Sequence, residues 1–92
     1  MYNYTNNELD EKIKECIDTF FKESNAEMVM LSDMGKLLKM EIREVLDLTY
    51  NNKVRNITSY IHKNHKNLSN FINTQTKYKI DNIENMSCIL NN

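Results

Sequence analysis

The doubled tripeptide HKNHKN holds the most distinctive polar side chains of the chain. Its two histidines, His62 and His65, stand three residues apart, so both could face one metal ion from a helix. A metal site needs further ligands, however, and residues 48 to 80 contain no carboxylate. Cys16 and Cys88 lie in apolar patterns and lack CxxC-type spacing. The sequence therefore predicts a protein that folds without metal or any other cofactor and keeps both cysteines reduced and buried.

Catalytic motifs are the second kind of chemistry to consider. Neither cysteine occurs in a recognisable nucleophile motif, and no serine occurs in a GxSxG turn. Because the chain has a single glycine, it has no glycine-rich loop that could hold a phosphate. We therefore expect a protein that is not an enzyme.

Charge is distributed unevenly along the chain. Residues 1 to 47 hold 11 acidic and 6 basic side chains, whereas residues 48 to 80 hold 6 basic and no acidic ones. An A/T-rich genome would explain the abundance of Asn and Lys through codon usage, but it would not remove Asp and Glu. The gap in acidic residues therefore predicts a basic surface.

A basic surface with interspersed amides is typical of nucleic-acid binding, in which cations contact phosphates and neutral polar groups contact sugars and bases. In a helix at 66 to 74, Lys66, Asn67, Asn70 and Asn73 would share one face, with Lys77 and Lys79 on a following wing. We interpret both histidines as surface polar groups of this interface. The candidate nucleic-acid-binding residues are Lys53, Arg55, His62, Lys63, His65, Lys66, Asn67, Asn70, Lys77 and Lys79.

The first element that positions these residues is a helix at about 6 to 23. Thr5 and Glu8 have the spacing of a capping box. Apolar residues then recur at helical spacing, namely Leu9, Ile13, Cys16, Ile17, Phe20 and Phe21. We expect this stripe to pack in the core.

A short strand and further helices follow. The run MVML at 28 to 31 predicts a strand, and Ser32 is a candidate cap for a second helix that extends to Tyr50-Asn51-Asn52. Helical spacing continues from 54 to 73, and we predict two helices there, broken near Asn64 to Lys66.

The tail changes to a period of two. Tyr78 and Ile80 alternate with charged residues, Asn82 to Asn85 offer a turn, and the run MSCIL follows, so a β-hairpin is predicted. The fold class is therefore α+β, a small winged helix-turn-helix with three to four helices, a short strand that pairs with the hairpin, and a C-terminal wing. The predicted core contains Leu9, Ile13, Ile17, Phe20, Leu37, Leu38, Ile61, Leu68, Phe71 and Ile80.

Two segments, LSDMGKLLK at 31 to 39 and LSNFINTQTKYKID at 68 to 81, resemble the LOTUS domain, also called OST-HTH, a winged-helix module of RNA-regulatory proteins. The positions that match its motifs are Leu31, Ser32, Met34, Gly35 and Leu38, and then Leu68, Phe71, Ile72, Tyr78 and Ile80. The resemblance covers most of the chain. It implies binding to structured or G-rich RNA and, in some members, docking onto a DEAD-box helicase.

Two functions stay open at this point. One is an RNA-binding module in post-transcriptional regulation, with DNA as another nucleic-acid ligand. The other is a protein-interaction winged helix that docks or dimerises through the acidic first half or the helix at 54 to 63. We expect residues 1 to 92 to form one domain, a module of a larger protein. Because the sequence shows no secretory signal or membrane span, we expect a cytoplasmic, intracellular location, or a nuclear one.

Overall fold

The first helix is fixed at both ends by side-chain and backbone caps. The computed structural model describes residues 5–43 and 56–91. Helix α1 spans Asn6–Ser24, and the Glu8 amide donates to Thr5 Oγ1 over 3.2 Å at its start. Asn25 ends it in the left-handed region at φ 56°, a conformation that asparagine tolerates. The predicted helix is confirmed, although Phe21 is the fully buried aromatic residue and Phe20 is only partly buried.

Strand β1 leads directly into the second helix. Strand β1 spans Met28–Met30 and helix α2 spans Leu31–Glu41. The predicted cap at Ser32 is wrong, because Met30 already has the extended backbone of an N-cap and Ser32 lies inside the first turn. The predicted end at Tyr50-Asn51-Asn52 lies outside the described residues, and α2 ends earlier because Ile42 leaves helical geometry at φ −117° and ψ 65°.

Two short helices follow, as predicted. Helix α3 spans Ile57–His65 and helix α4 spans Leu68–Gln75. Both begin at an asparagine cap whose side-chain oxygen accepts an amide proton from three residues later: Asn56 accepts from Ser59 and Asn67 accepts from Asn70.

A β-hairpin completes a three-stranded antiparallel sheet. Strand β2 spans Lys79–Ile83 and strand β3 spans Met86–Leu90, and the sheet order is β1-β3-β2. The predicted pairing of the MVML strand with the hairpin is confirmed by the register of Val29 opposite Ile89. The turn consists of Glu84 and Asn85 at φ 53° and 66°, whereas Asn82 and Ile83, which were predicted to lie in the turn, remain in β2.

The core lies between the helices and one face of the sheet. Its buried members are Leu9, Ile13, Ile17, Phe21, Met34, Leu38, Ile42, Ile57, Tyr60, Ile61, Phe71, Ile72, Tyr78 and Ile89. Four predicted core residues, Phe20, Leu37, Leu68 and Ile80, are partly buried and pack against this cluster. The described residues thus form a small α+β domain of four helices and three strands, compatible with a winged helix. Within residues 5–43 and 56–91, no helix combines the length and apolar content that crossing a bilayer requires.

Candidate nucleic-acid interface

The corner between α3 and α4 is a tight turn centred on Lys66. The Asn67 amide donates to the His65 carbonyl oxygen over 2.9 Å, and Lys66 between them has φ 71° and ψ −56°. These values are those of a γ-turn with positive φ, a rare and strained conformation for a residue with a side chain. Such strain costs about 1–3 kcal/mol and persists only where neighbouring contacts hold it.

Three asparagines, Asn64, Asn67 and Asn70, supply those contacts. Asn67 Oδ1 accepts the Asn70 amide proton over 2.7 Å, and Asn70 Nδ2 donates to the His65 carbonyl oxygen over 2.8 Å. One turn earlier, Asn64 Nδ2 donates to the Tyr60 carbonyl oxygen over 3.0 Å. The candidate residues Asn67 and Asn70 therefore brace the corner itself, which leaves the Oδ1 of Asn70 and the Nδ2 of Asn67 for an outside partner.

His65 anchors the corner to α1. Its Nε2 lies 2.9 Å from Asp10 Oδ1, and the two side chains are only 13% and 15% exposed. Its ring packs edge-to-face on Phe71 with centroids 4.9 Å apart. The interpretation of His65 as a surface polar group is therefore wrong. Its spacing of four from Ile61 and eight from Ile57 places it on the buried face of α3, a signal that the helical periodicity already contained.

Two tyrosine hydroxyls also meet carboxylates of α1. The Tyr60 hydroxyl lies 2.9 Å from Asp10 Oδ1 and 3.1 Å from the Asn6 carbonyl oxygen. The Tyr78 hydroxyl donates to Asp18 Oδ1 over 2.6 Å. Burial, together with the adjacent Asp10, raises the pKa of Tyr60 well above its ordinary value, and burial with Asp18 raises the pKa of Tyr78 to about 12. Both tyrosines are therefore neutral donors at physiological pH.

The candidate lysines lie on either side of α4. Lys63 and Lys66 are exposed at the α3–α4 corner, and Lys77 and Lys79 are exposed where the chain leaves α4 and enters β2. Lys77 Nζ lies 5.4 Å from the centroid of the Tyr78 ring. Helix α4 itself has no charged residue, and its eight residues separate the two groups by about 12 Å. The structure therefore places cations at the two ends of a neutral helix. The candidates Lys53 and Arg55 lie outside the described residues.

A cleft lies beside this corner, and we call it the α2–α4 cleft. It has a volume of about 630 Å³, and its lining includes Leu31, Gly35, His62, Leu68, Ser69 and Met86. His62, unlike His65, is exposed. The cleft thus joins the end of β1, α2, α3, α4 and the start of β3, and sequence reasoning missed it because its walls come from five separate elements.

A second cleft, which we call the acidic cleft, lies between α1 and α2. It has a volume of about 580 Å³, and its lining includes Glu15, Cys16, Phe20, Glu23, Leu37 and Glu41. Burial, and then the nearby Glu41 carboxylate, raises the pKa of the Cys16 thiol to about 11, so the thiol is protonated at neutral pH. Cys16 and Cys88 are both free thiols.

Neither a ligand set nor a known relative identifies a site. Over the two described ranges, side chains of His, Cys, Asp and Glu do not gather in threes or more as metal ligands. The chain matches no protein-family model, no curated protein and no solved structure. The geometry of the corner, the lysines and the clefts therefore provides the basis for a functional proposal.

Proposed function

We propose that this domain is a non-catalytic RNA-binding module that acts in post-transcriptional regulation. The observation that carries the proposal is the exposure of Lys63, Lys66, Lys77 and Lys79 around α4, in a part of the sequence, residues 56–80, without any acidic residue. The resemblance to the LOTUS domain favours RNA over DNA as the ligand.

The positions of these lysines suit a phosphate backbone. Exposed ammonium groups release counterions when they contact phosphates, and this release supplies much of the affinity for nucleic acids. Two carboxylates of α1 contact this part of the fold: Asp10 meets His65 and Tyr60, and Asp18 meets Tyr78. Because Asp10 is largely buried, it opposes an anionic ligand at the corner only weakly, whereas Asp18 and Asp81, two residues after Lys79, are exposed.

The strained corner gives Lys66 a defined position. Because the backbone on both sides of Lys66 is held by Asn67, Asn70 and His65, little backbone freedom is lost when its side chain contacts a ligand. A rigid point of contact favours binding by reducing the entropy that association costs.

The test is a binding screen by fluorescence anisotropy at two salt concentrations. The ligands are an unpaired RNA, a G-rich RNA, a duplex RNA and a duplex DNA. We expect Lys66→Glu and Lys79→Glu to weaken RNA binding, and each lost phosphate contact should lower the magnitude of the log-log salt slope by about 0.7–0.9. The matched control is Lys22→Glu, the same charge change at an exposed position on α1.

The outcomes separate the possibilities. Equal losses from Lys22→Glu and Lys66→Glu would mean attraction to the whole molecule and would contradict an interface at the corner. Tighter binding to duplex DNA than to any RNA would replace RNA by DNA as the ligand. Absence of binding to every nucleic acid at low salt would refute the proposal.

A protein-interaction function is the second candidate, and the acidic cleft favours it. Its lining combines the apolar side chains of Phe20 and Leu37 with three glutamates and one lysine, which suits a basic amphipathic segment of a partner; the charged residues are Glu15, Glu23, Glu41 and Lys12. The LOTUS resemblance implies a DEAD-box helicase as such a partner, and self-association is the other form of this candidate. Glu23→Lys should abolish partner capture and leave RNA binding intact, which a pull-down and the anisotropy assay would show together.

A further inference from the structure

We propose that the α2–α4 cleft binds an unpaired nucleobase of the RNA ligand. This inference rests on the proposed RNA-binding function and adds to it the kind of RNA that the domain prefers, namely a strand with at least one base free of pairing. It assigns to the cleft a role that the lysines cannot perform, since phosphate contacts do not distinguish paired from unpaired bases.

The floor of the cleft is apolar and open to solvent. Among the lining residues, Leu31 and Leu68 are partly buried and pack against the core, and Met86 on β3 is exposed. The cleft volume of about 630 Å³ lies in the range of small-molecule sites and is ample for one base. Flat apolar ligands fit such a floor, and methionine adapts to their shape.

The rim supplies hydrogen-bonding groups and one aromatic ring. Asn67 and Ser69 at the start of α4 and Ser32 of α2 also line the cleft, as does His62 of α3. Hydroxyl and amide groups both donate and accept, as the edges of an unpaired base require. An exposed imidazole stacks on bases in RNA-binding proteins, and His62 has the position for this contact.

Charge selects this ligand over a peptide. The described residues that line the α2–α4 cleft include no carboxylate, whereas those of the acidic cleft include Glu15, Glu23 and Glu41. The exposed Lys63 and Lys66 follow His62 along the same corner. An anionic strand is therefore attracted to the α2–α4 cleft, and a base can enter the cleft while its phosphate contacts the corner.

Gly35 provides a direct way to close the cleft. A methyl group at this position would meet Leu68 Cδ2 at 4.0 Å, an ordinary van der Waals distance, so the first carbon of a side chain can be added without strain. Gly35→Leu fills the cleft from the α2 wall, and Ser69→Leu fills it from the α4 wall. Gly35→Ala adds only the methyl group and serves as the control for the change in helix propensity.

The experiment measures the affinity ratio between an unpaired RNA and a fully paired RNA of the same length. We expect wild type and Gly35→Ala to prefer the unpaired strand, and Gly35→Leu and Ser69→Leu to reduce this preference by about fivefold or more, the lower end of what one stacked base contributes. The salt slope should stay unchanged because the lysines remain. Thr19→Leu introduces the same leucine side chain in the acidic cleft and should have no effect.

The result separates this inference from the proposed function. Circular dichroism first establishes that each variant is folded, and the two filling variants act from opposite walls. If Lys66→Glu weakens RNA binding while both filling variants keep the full preference for the unpaired strand, the cleft does not hold a base and the proposed function stands. If wild type binds both RNAs equally, the inference is refuted. If wild type binds no RNA, the proposed function fails and the inference fails with it.

Discussion

Asp10 is the polar side chain on which the contact between α1 and α3 depends. One carboxylate oxygen lies 2.9 Å from both the Tyr60 hydroxyl and His65 Nε2. Because the side chain of His65 is largely buried, removal of the Asp10 carboxylate would leave His65 Nε2 without its partner and with little access to water. Asp10 therefore holds the α3 side of the corner against α1.

We expect Asp10→Ala to lower the free energy of unfolding by about 1–3 kcal/mol, the usual cost of leaving a buried polar group unsatisfied. Urea denaturation measures the change. Glu15→Ala on the exposed side of the same helix is the control and should change stability by less than about 0.5 kcal/mol. A loss for Asp10→Ala as small as for Glu15→Ala would show that the contact contributes nothing to stability.

The turn of the β2–β3 hairpin has a backbone conformation that is unfavourable for one of its two residues. Its two turn residues, Glu84 and Asn85, both have positive φ, as a two-residue type I′ turn requires. This turn matches the twist of the strands, but glutamate is a poor residue for the left-handed region. The pairing of Ile83 with Met86 and of Ile80 with Ile89 holds the turn against this preference.

We therefore expect the double substitution Glu84→Asn and Asn85→Gly to stabilise the domain by about 0.5–1 kcal/mol, because the preferred residues of a type I′ turn replace strained ones. The melting temperature measures the gain. Asn82→Gly places glycine inside β2 and should have the opposite sign. A lower melting temperature for the double variant would contradict the assigned turn.

At the scale of the whole molecule, α1 is joined to the rest by two tyrosine–aspartate contacts. Tyr60 on α3 meets Asp10, and Tyr78 before β2 meets Asp18, eight residues further along α1. Each contact needs a protonated hydroxyl beside a carboxylate. Deprotonation at either place would put two negative charges at hydrogen-bonding distance.

Alkaline pH should therefore weaken the fold. The folded domain raises the pKa of Tyr78 from 10.0 to about 12, so its contribution to stability is complete below pH 10 and is lost as the pH rises from 10 towards 12. We expect the free energy of unfolding to fall less steeply over this range in Tyr78→Phe than in wild type. Urea denaturation at each pH measures the free energy of unfolding. If this free energy fell equally with pH in both proteins, the role of this hydroxyl would be contradicted.

Local patterns predicted the order of elements, and long-range contacts limited the prediction of the site. The stripe through Leu9, Ile13 and Ile17 and the alternation at Tyr78 and Ile80 are each contained in a few neighbouring residues, so sequence spacing indicated both. The contact of His65 with Asp10 spans 55 residues, and that of Tyr78 with Asp18 spans 60. No local pattern indicates such partners. The abundance of Tyr and Asn also concealed their roles, because codon usage alone would explain both.

The backbone of Lys66 has a consequence for how selection acts on this corner. A glycine at this position would adopt φ 71° freely, so Lys66→Gly should make the domain more stable. Selection for stability alone would favour that exchange, yet a lysine occupies this position although its backbone conformation there is strained. If the ammonium group contacts the ligand, the corner is a trade-off in which stability is given up for recognition. Natural or engineered variants that relieve this strain should then be more stable and bind the RNA ligand less tightly.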